Sequence, residues 1–546
     1  MSRAEIQADT LPFKKEVIPT ADDDRLRQIL LWKSKSEDSF KLKHSRWAKN
    51  MRLVNGQFED DELKRSKVRN RSKLFWRKTW ASNTRLLASF YQAFLKDPDS
   101  VKIEGRMPED VMRGKVLTEM VKYRVDLMKA NNNLFRKWMW GLMDIVNLSD
   151  TIGKFRWDNL TDAPDFVTYS PDNVFPDPYA TGKHNMRYII FQNFLSKDDL
   201  IEKGWWSEDL RSAPQSKTAL EQARIEKSEI DKPPVADTYE SNYYPKDGSG
   251  ERGDSSKSVY EIWETLEMRA GRIFYTVTNA HHKILEQTRQ TPFKGFYPVV
   301  WGSCLLLAHQ LFGEGFAEPY EGPQQSANAT LNMRKDAVAL TLAPHRIVNR
   351  WGGVDLESLM NRRPGGITLV NDNNAISEEN FKDVTSRAYQ EVESDDLMMQ
   401  EMGGITNQRL GLPGSPGEKA TVANINYQES GTKLDFFTGI VSETYFKDFY
   451  LILSSMIMMF ETDESVFRVA NSKVREQFPD HQDIYDISGF MADFIITVGS
   501  PSINRTMDAQ NALVAMDRAT MANQTSLGLL QAGVDPKQLL IFNVAA

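Results

Sequence analysis

One cysteine, Cys304, occurs in 546 residues. A lone thiol excludes an intrachain disulfide and fits a chain folded in a reducing cytoplasm. Histidine is scarce as well: His44, His184, His281, His282, His309, His345 and His481 are all there are. None sits in an HExxH or a Cys/His cluster, and His281-His282 reads as a surface or strand-end pair, so no metal and no cofactor is expected. Long hydrophobic runs are missing. Leu451 to Phe460, the most apolar late segment, falls far short of the roughly 20 residues that cross a bilayer and reads as buried helix. Met1 to Asp24 mixes charges without the apolar core of a secretory signal.

Catalytic signatures are absent too. The run Gly411 to Lys419 has the glycines of a phosphate loop, but Glu418 separates Gly417 from Lys419 and Ala420 follows, where that loop needs Gly-Lys-Ser/Thr. A carboxylate there would repel a triphosphate. No Gly-x-Ser-x-Gly elbow occurs. The chain is therefore read as something other than an enzyme.

What is present suits a packed protein of several subdomains, with 40% hydrophobic and 10% aromatic residues. Its net charge of −7 argues against a simple nucleic-acid coat but leaves local patches open. Residues 1–23 read as a loose polar arm and Arg25 to Asn50 as a helix anchored by Leu30, Leu31, Phe40, Leu42 and Trp47. Between Glu62 and Asp97 stand ten bases and no acid, among them Lys64, Arg65, Lys67, Arg69, Arg71, Lys73, Arg77, Lys78 and Arg85, interleaved with Phe75, Trp76 and Trp80. Such a segment binds nucleic acid, or it packs its aromatics inward while the bases stay solvated or pair with acids of a neighbouring subunit. A helical segment from Met107 to Ser149 carries a possible connection at Asn131-Asn-Asn133. Strand patterns follow at Ile152 to Trp157, Phe166 to Tyr169, Tyr188 to Phe194, Val259 to Leu266, Arg272 to Val277 and Tyr297 to Trp301. They are interrupted by a polar insertion over 207–258.

The chain is organised around Gly313 to Phe460. A helix is expected from about 323 to 342, with Ala327, Leu331, Val338 and Leu342 as its apolar positions, between Gly322-Pro323 and Pro344. A small insert follows, with β-like runs at Arg346-Ile-Val-Asn and Ile367-Thr-Leu-Val370 and a helical turn over Asp355 to Met360. The second helix, Asp383 to Met402, uses Val384, Ala388, Val392, Met399 and Met402 and leaves its other faces acidic: from Ile376 to Met402 eight acids face two bases. Gly403 to Gly414 is a glycine-rich loop. Ser415-Pro416-Gly417-Glu418 then forms a capping box opening a helix that continues to about Phe460, with Gly431 and Gly439 as bend points.

This order of parts resembles the core of tailed-bacteriophage portal proteins, the head-to-tail connectors, and is similar to those of short-tailed phages. The matching residues are Gly313-Glu-Gly-Phe-Ala-Glu-Pro319, Asn361-Arg-Arg-Pro-Gly-Gly-Ile-Thr-Leu-Val370, and Gly403 to Glu418 before the long helix. The resemblance implies an α+β ring subunit: arm and α+β wing (1–312), first stem helix (313–343), small α/β clip (344–380), second stem helix (381–402), tunnel loop (403–417), long bent spine helix (418–460), wing return (461–500) and short helical crown (501–546). It implies a homo-oligomeric, twelvefold ring at the virion's capsid vertex, assembled in the host cytoplasm without a membrane, through which double-stranded DNA is packaged and ejected. Its implied partners are the terminase large subunit, a head-tail adaptor, and the major capsid and scaffolding proteins. Within such a ring Asn407, Gln408, Arg409 and Lys419 would touch DNA from the tunnel loop. Glu391, Glu393, Asp395 and Asp396 would form an acidic stem that discourages sticking, and Arg346, Arg350, Trp351, Arg362 and Arg363 would be docking residues of the clip. The alternative is a non-portal nucleic-acid-binding protein that uses the basic 64–85 patch.

Overall fold

The protein is seen in a computed structural model that describes residues 22–58, 72–96, 101–105, 110–158, 161–206, 259–279, 283–342, 346–349, 376–378, 385–403, 433–461 and 494–498, with isolated positions near 210, 220, 351–359 and 370–371. In chain order the elements are α1 (Asp22–Asn55), α2 (Lys78–Phe90), a π-helical turn Tyr91–Leu95, β1 (Val101–Gly105), α3 (Asp110–Asn131), α4 (Leu134–Asn147), β2 (Asp150–Asp158), β3 (Ala163–Tyr169), β4 (Val174–Pro176), β5 (Tyr188–Ser196) and α5 (Lys197–Glu202). They continue with β6 (Val259–Arg269), β7 (Arg272–Asn279), β8 (Lys283–Lys294), β9 (Val299–Ser303), α6 (Ala317–Leu342), β10 (Arg346–Val348), β11 (Ile376–Glu378), α7 (Thr385–Gly403), a helical run over 433–441, a second π-helical turn Ser442–Phe446, α8 (Lys447–Phe460) and β12 (Phe494–Val498). The fold is α+β, as expected. Two compact units divide the chain, Met1–Leu87 with Arg124–Met456, and Ala88–Tyr123 with Ile457–Ala546.

The first unit holds two antiparallel sheets, one in the order β3-β2-β9 and one a five-stranded meander β4-β5-β6-β7-β8. Burial along β2 is unbroken from Asp150 to Phe155 instead of alternating, so its polar members need internal partners. Lys154 supplies one such pairing. Its ammonium bonds the Glu264 carboxylate on β6, which also accepts from Tyr275 Oη at 2.9 Å and Asn193 Nδ2 at 2.7 Å. Burial, the largest single influence, would raise the Glu264 carboxyl; the Lys154 charge together with the hydrogen bonds from Lys154 and Tyr275 outweighs it and holds the group below its ordinary value. Phe155, Phe166 and Phe449 make the apolar centre, with ring centroids 4.9–5.0 Å apart.

Helix α1 lies on the meander through Ile29, which clusters with Phe175, Tyr188, Ile190 and Trp263. Trp32 stacks on Tyr188 at 4.4 Å. Of the anchors expected for α1, Trp47 is buried, but Leu31 and Leu42 are exposed. The helical period puts them opposite the stripe of Leu26, Ile29, Ser36 and Trp47 that faces the protein. Strand β8 escaped the sequence reading because it is an edge strand, charged, bulged against β7 and carrying Pro292. The break between α3 and α4 falls at Asn133, in the left-handed region at φ 51° that asparagine tolerates.

The long late helix is seen from 433 to 460, and the residues before it lie outside the described ones. Of its expected bend points Gly431 is also outside, while Gly439 sits in regular helix with open space around its Cα. The irregularity comes three residues later, in the π-helical turn Ser442–Phe446. That turn buries Tyr445 and Phe446 side by side. Thr444 Oγ1 donates to the Ser303 carbonyl at 2.9 Å, and Tyr445 presses on Gly302 of β9 and Gly141 of α4. Near 350, the β-like run at 346–348 is a strand and pairs with Ile376–Glu378; residues 367–369 of the other expected run lie outside the described residues. The apolar Val348 faces Ile376 in this register.

In the second unit β1 and β12 form an antiparallel pair from Val101↔Val498 to Gly105↔Phe494. Thr118 Oγ1 of α3 accepts from the Ile103 amide at 3.1 Å. The polar insertion is described only at scattered positions of 207–258, and residues 501–546, expected as the crown, lie outside the described residues.

A methyl group at Gly302 would lie 2.7 Å from Tyr445 Cβ. Gly302→Ala is expected to cost about 1–3 kcal/mol by overpacking and to lower the thermal midpoint measurably. A variant as stable as the parent would show that the strand and helix are not in this contact.

Candidate functional site

Helices α6 and α7 pack as an antiparallel pair: Tyr320 meets Gly403 at one end, where a Cβ would collide with its phenol, and Arg334 covers the Tyr389 ring at 4.3 Å towards the other. Helix α6 begins at Ala317, six residues before the expected start, so Pro323 is inside it. The early start is held by Glu318, whose carboxylate takes the Gly315 amide at 3.4 Å and Lys43 Nζ at 3.3 Å at the helix's positive end. Val338 and Leu342, two of its expected core positions, are exposed.

The face of α6 that matters is polar. Gln324, Asn328, Asn332 and Asp336 recur at every fourth residue, and the segment 72–79 lies along them in the opposite direction. The amides of Ser72, Leu74 and Trp76 donate to Asp336 Oδ1, Asn332 Oδ1 and Asn328 Oδ1 at 2.8–2.9 Å. Thr79 donates to Gln324 Oε1 through its amide at 2.9 Å and its hydroxyl at 3.1 Å. Asn332 and Gln324 return bonds to the carbonyls of Leu74 and Trp76. The match is metrical, because two residues of extended chain advance about 6.6 Å and four residues of helix about 6 Å. From Ser72 to Trp76 every second amide therefore meets every fourth side chain, and Thr79, three residues on at the start of α2, meets the last. Gln324, which is fully buried, also satisfies an N-terminal amide of α2.

This strap carries the aromatic half of the basic patch. Phe75 turns inward onto Phe58, at 5.0 Å between rings, and onto Leu53, Val54 and Ala317. Arg77 donates to the Val54 carbonyl. Lys78 is buried, lies 4.1 Å from the Trp76 ring centroid and pairs with Asp396 of α7 at 2.8 Å. The bases Lys64, Arg65, Lys67, Arg69 and Arg71 lie outside the described residues.

The four expected stem acids thus separate. Glu391 and Glu393 are exposed, Asp396 is half-buried and ion-paired, and Asp395 is buried with Oδ2 lacking a hydrogen bond among the described residues. Its burial departs from the solvated face expected, since Asp395 falls three residues after Val392 and four before Met399, on the stripe that faces α6. At the end of α7, Lys433 Nζ donates to the Glu401 carbonyl at 2.9 Å, a cation at the helix's negative end. Asn407, Gln408, Arg409 and Lys419 lie outside the described residues, as do Arg350, Arg362, Arg363 and the Arg346 side chain. Trp351 is described and is 90% exposed.

Just before α6 the chain passes a buried carboxylate that sequence reasoning overlooked. Asp150 Oδ2 accepts from the Gly313 amide at 2.9 Å and Ser149 Oγ at 2.5 Å, while Oδ1 accepts from Trp301 Nε1 at 3.2 Å and from Ser303. Burial raises its carboxyl above the ordinary aspartate value, and these four donors offset part of the rise. Trp47 Nε1 joins the network through Ser149 at 3.1 Å, so the fixed point reaches α1, β2, β9 and the approach to α6.

Residues 152–540 match the family model described as Phage SU10 portal protein. The chain belongs to that family. It is a phage portal protein, of a structural family, and the matched span runs from β2 through both helices of the pair to β12 and beyond. No curated protein matches it. Among the described residues no helix is long and apolar enough to cross a membrane, and no group of three or more metal-ligating side chains is found.

Removing Gln324 leaves Thr79 with two orphaned donors in a buried place. Gln324→Ala in the portal protein should cost about 1–3 kcal/mol in urea unfolding. Asp396 keeps access to water, so removing the charge while keeping the buried stem, with Lys78→Met, should cost less, about 1 kcal/mol or under. Equal costs, or the reverse order, would contradict the ladder.

Proposed function

We propose that copies of this chain close into a ring at the capsid vertex, through whose axis double-stranded DNA is packaged and later ejected. The observation that carries the reading is the antiparallel pair α6–α7 with the small β10–β11 module between its two helices in the sequence, inside a chain of the portal family. On this reading 313–343 and 381–402 are the stem, 344–380 the clip, 403–417 the tunnel loop, 418–460 the spine of the wing, and 501–546 the crown.

The stem's exposed carboxylates, Glu391 and Glu393, suit a channel that must let DNA slide. A duplex carries about one phosphate per 1.7 Å of axis, and each Lys or Arg contact adds salt-sensitive affinity that would hold it in place. Contacts with DNA fall to Asn407, Gln408, Arg409 and Lys419. Arg346, Arg350, Trp351, Arg362 and Arg363 serve the clip, first towards the terminase large subunit and then towards the head-tail adaptor; the nearly complete exposure of Trp351 supports a docking role. The strap weighs against the competing reading of 64–85 as a nucleic-acid site, since Phe75, Arg77 and Lys78 of that patch are engaged within the chain.

Native mass measurement and negative-stain imaging of the purified chain should show a closed ring with an axial opening, twelvefold by expectation. A solitary globule would end the reading. Arg362→Ala with Arg363→Ala should leave the ring intact and weaken capture of the terminase large subunit; loss of the ring would instead assign both arginines to contacts between clips.

A further inference from the structure

A ring made by rotation needs two different, complementary patches on each copy, because the contact is head-to-tail and not self-complementary. The layer of strap, α6 and α7 carries two such patches. Alternation along the strap sends Phe75 inward and leaves Leu74 and Trp76 outward, and both are exposed, as is Trp80 at the start of α2. The sequence from 72 to 87 holds no acid; of its bases Lys78 is buried and paired and Arg77 bonds the Val54 carbonyl while lying over the Trp80 ring, and Lys73 is exposed beside Leu74. The outer side of α7 is the counterpart: Leu397, Met398 and Met402 are exposed apolar side chains, accompanied by the exposed acid Glu401. One patch is aromatic and basic, the other aliphatic and acidic.

The attraction between these chemistries is already realised once inside the chain, where Lys78 of the strap pairs with Asp396 of α7 while lying against Trp76. Arg334 over Tyr389 repeats the cation-on-ring pairing between α6 and α7. From this complementarity, and resting on the ring reading above, we infer that the Leu74–Trp76–Trp80 ridge of one copy docks on the outer face of α7, around Leu397, Met398 and Met402, of the next. Each copy gives its ridge to one neighbour and its α7 face to the other. Burial of the aromatics and methionines supplies the attraction, and the charges around them set which face meets which.

The single cysteine of the chain is buried, so introduced thiols report alone. Full-length Leu74→Cys and Met398→Cys chains, each first shown to melt as the parent does, are mixed as subunits, assembled and treated with a short bismaleimide. Trp76→Cys with Met402→Cys is the second pair, used also if either first variant melts early. The inference expects a cross-linked dimer from each mixture, little from either variant alone, and a ladder of higher products from a chain carrying both thiols. Rings that form normally yet give no cross-link with either pair would overturn it while leaving the ring reading standing. A parent chain that forms no ring would overturn the ring reading, and this inference with it.

Discussion

The side of α6 lined by Gln324, Asn328, Asn332 and Asp336 is the constraint on which the rest of this layer depends. Gln324 and Asn328 are buried amides, and buried amides without partners are costly. Their partners come from the backbone of 72–79, more than 240 residues earlier in the chain. Satisfying them fixes the strap in register on the helix. That register places Phe75 over Ala317, Leu53 and Val54, starts α2 at Lys78, and brings Lys78 within reach of Asp396 on α7. One polar match therefore joins three segments that propensity alone would leave independent.

Asp150 does comparable work where β2 and β9 meet the approach to α6. A carboxylate enclosed by four donors tolerates little displacement of any of them, so Trp301, Ser303, Ser149 and Gly313 are held in one arrangement. The late helix attaches to the same strand two ways, through Thr444 on Ser303 and through Tyr445 on Gly302. Strand β9 is thereby tied both to the buried carboxylate and to the late helix, so these elements of the portal subunit keep their spacing together.

Much of the framework was legible in the sequence because periodicity survives burial. Helices α1, α3, α4 and α7, the strands β2, β3, β5, β6 and β7, and the break at Asn133 lie near where apolar spacing put them. The candidate site was less legible. An apolar stripe of Ala327, Leu331, Val338 and Leu342 was read on α6, yet two of these are exposed and the working face is the amide series at the same spacing. That series was visible as Gln324, Asn328, Asn332 and Asp336, but a polar repeat on a helix ordinarily means solvent. What makes it otherwise is a partner distant in sequence, and no local pattern announces that. Likewise the bases and aromatics of 72–80 left nucleic-acid binding and inward packing both open, and only the distant partners of Phe75 and Lys78 show packing and pairing.

Amide hydrogen exchange, resolved to single residues in 72–79 of the full-length chain, tests the central claim most directly. The account predicts slow exchange at Trp76 and Thr79, and slower exchange at Ser72 and Leu74 than at Lys73 and Phe75, for which no bond to α6 is drawn. Uniform, rapid exchange across all of these amides would contradict it, for the strap would then not be fastened to α6.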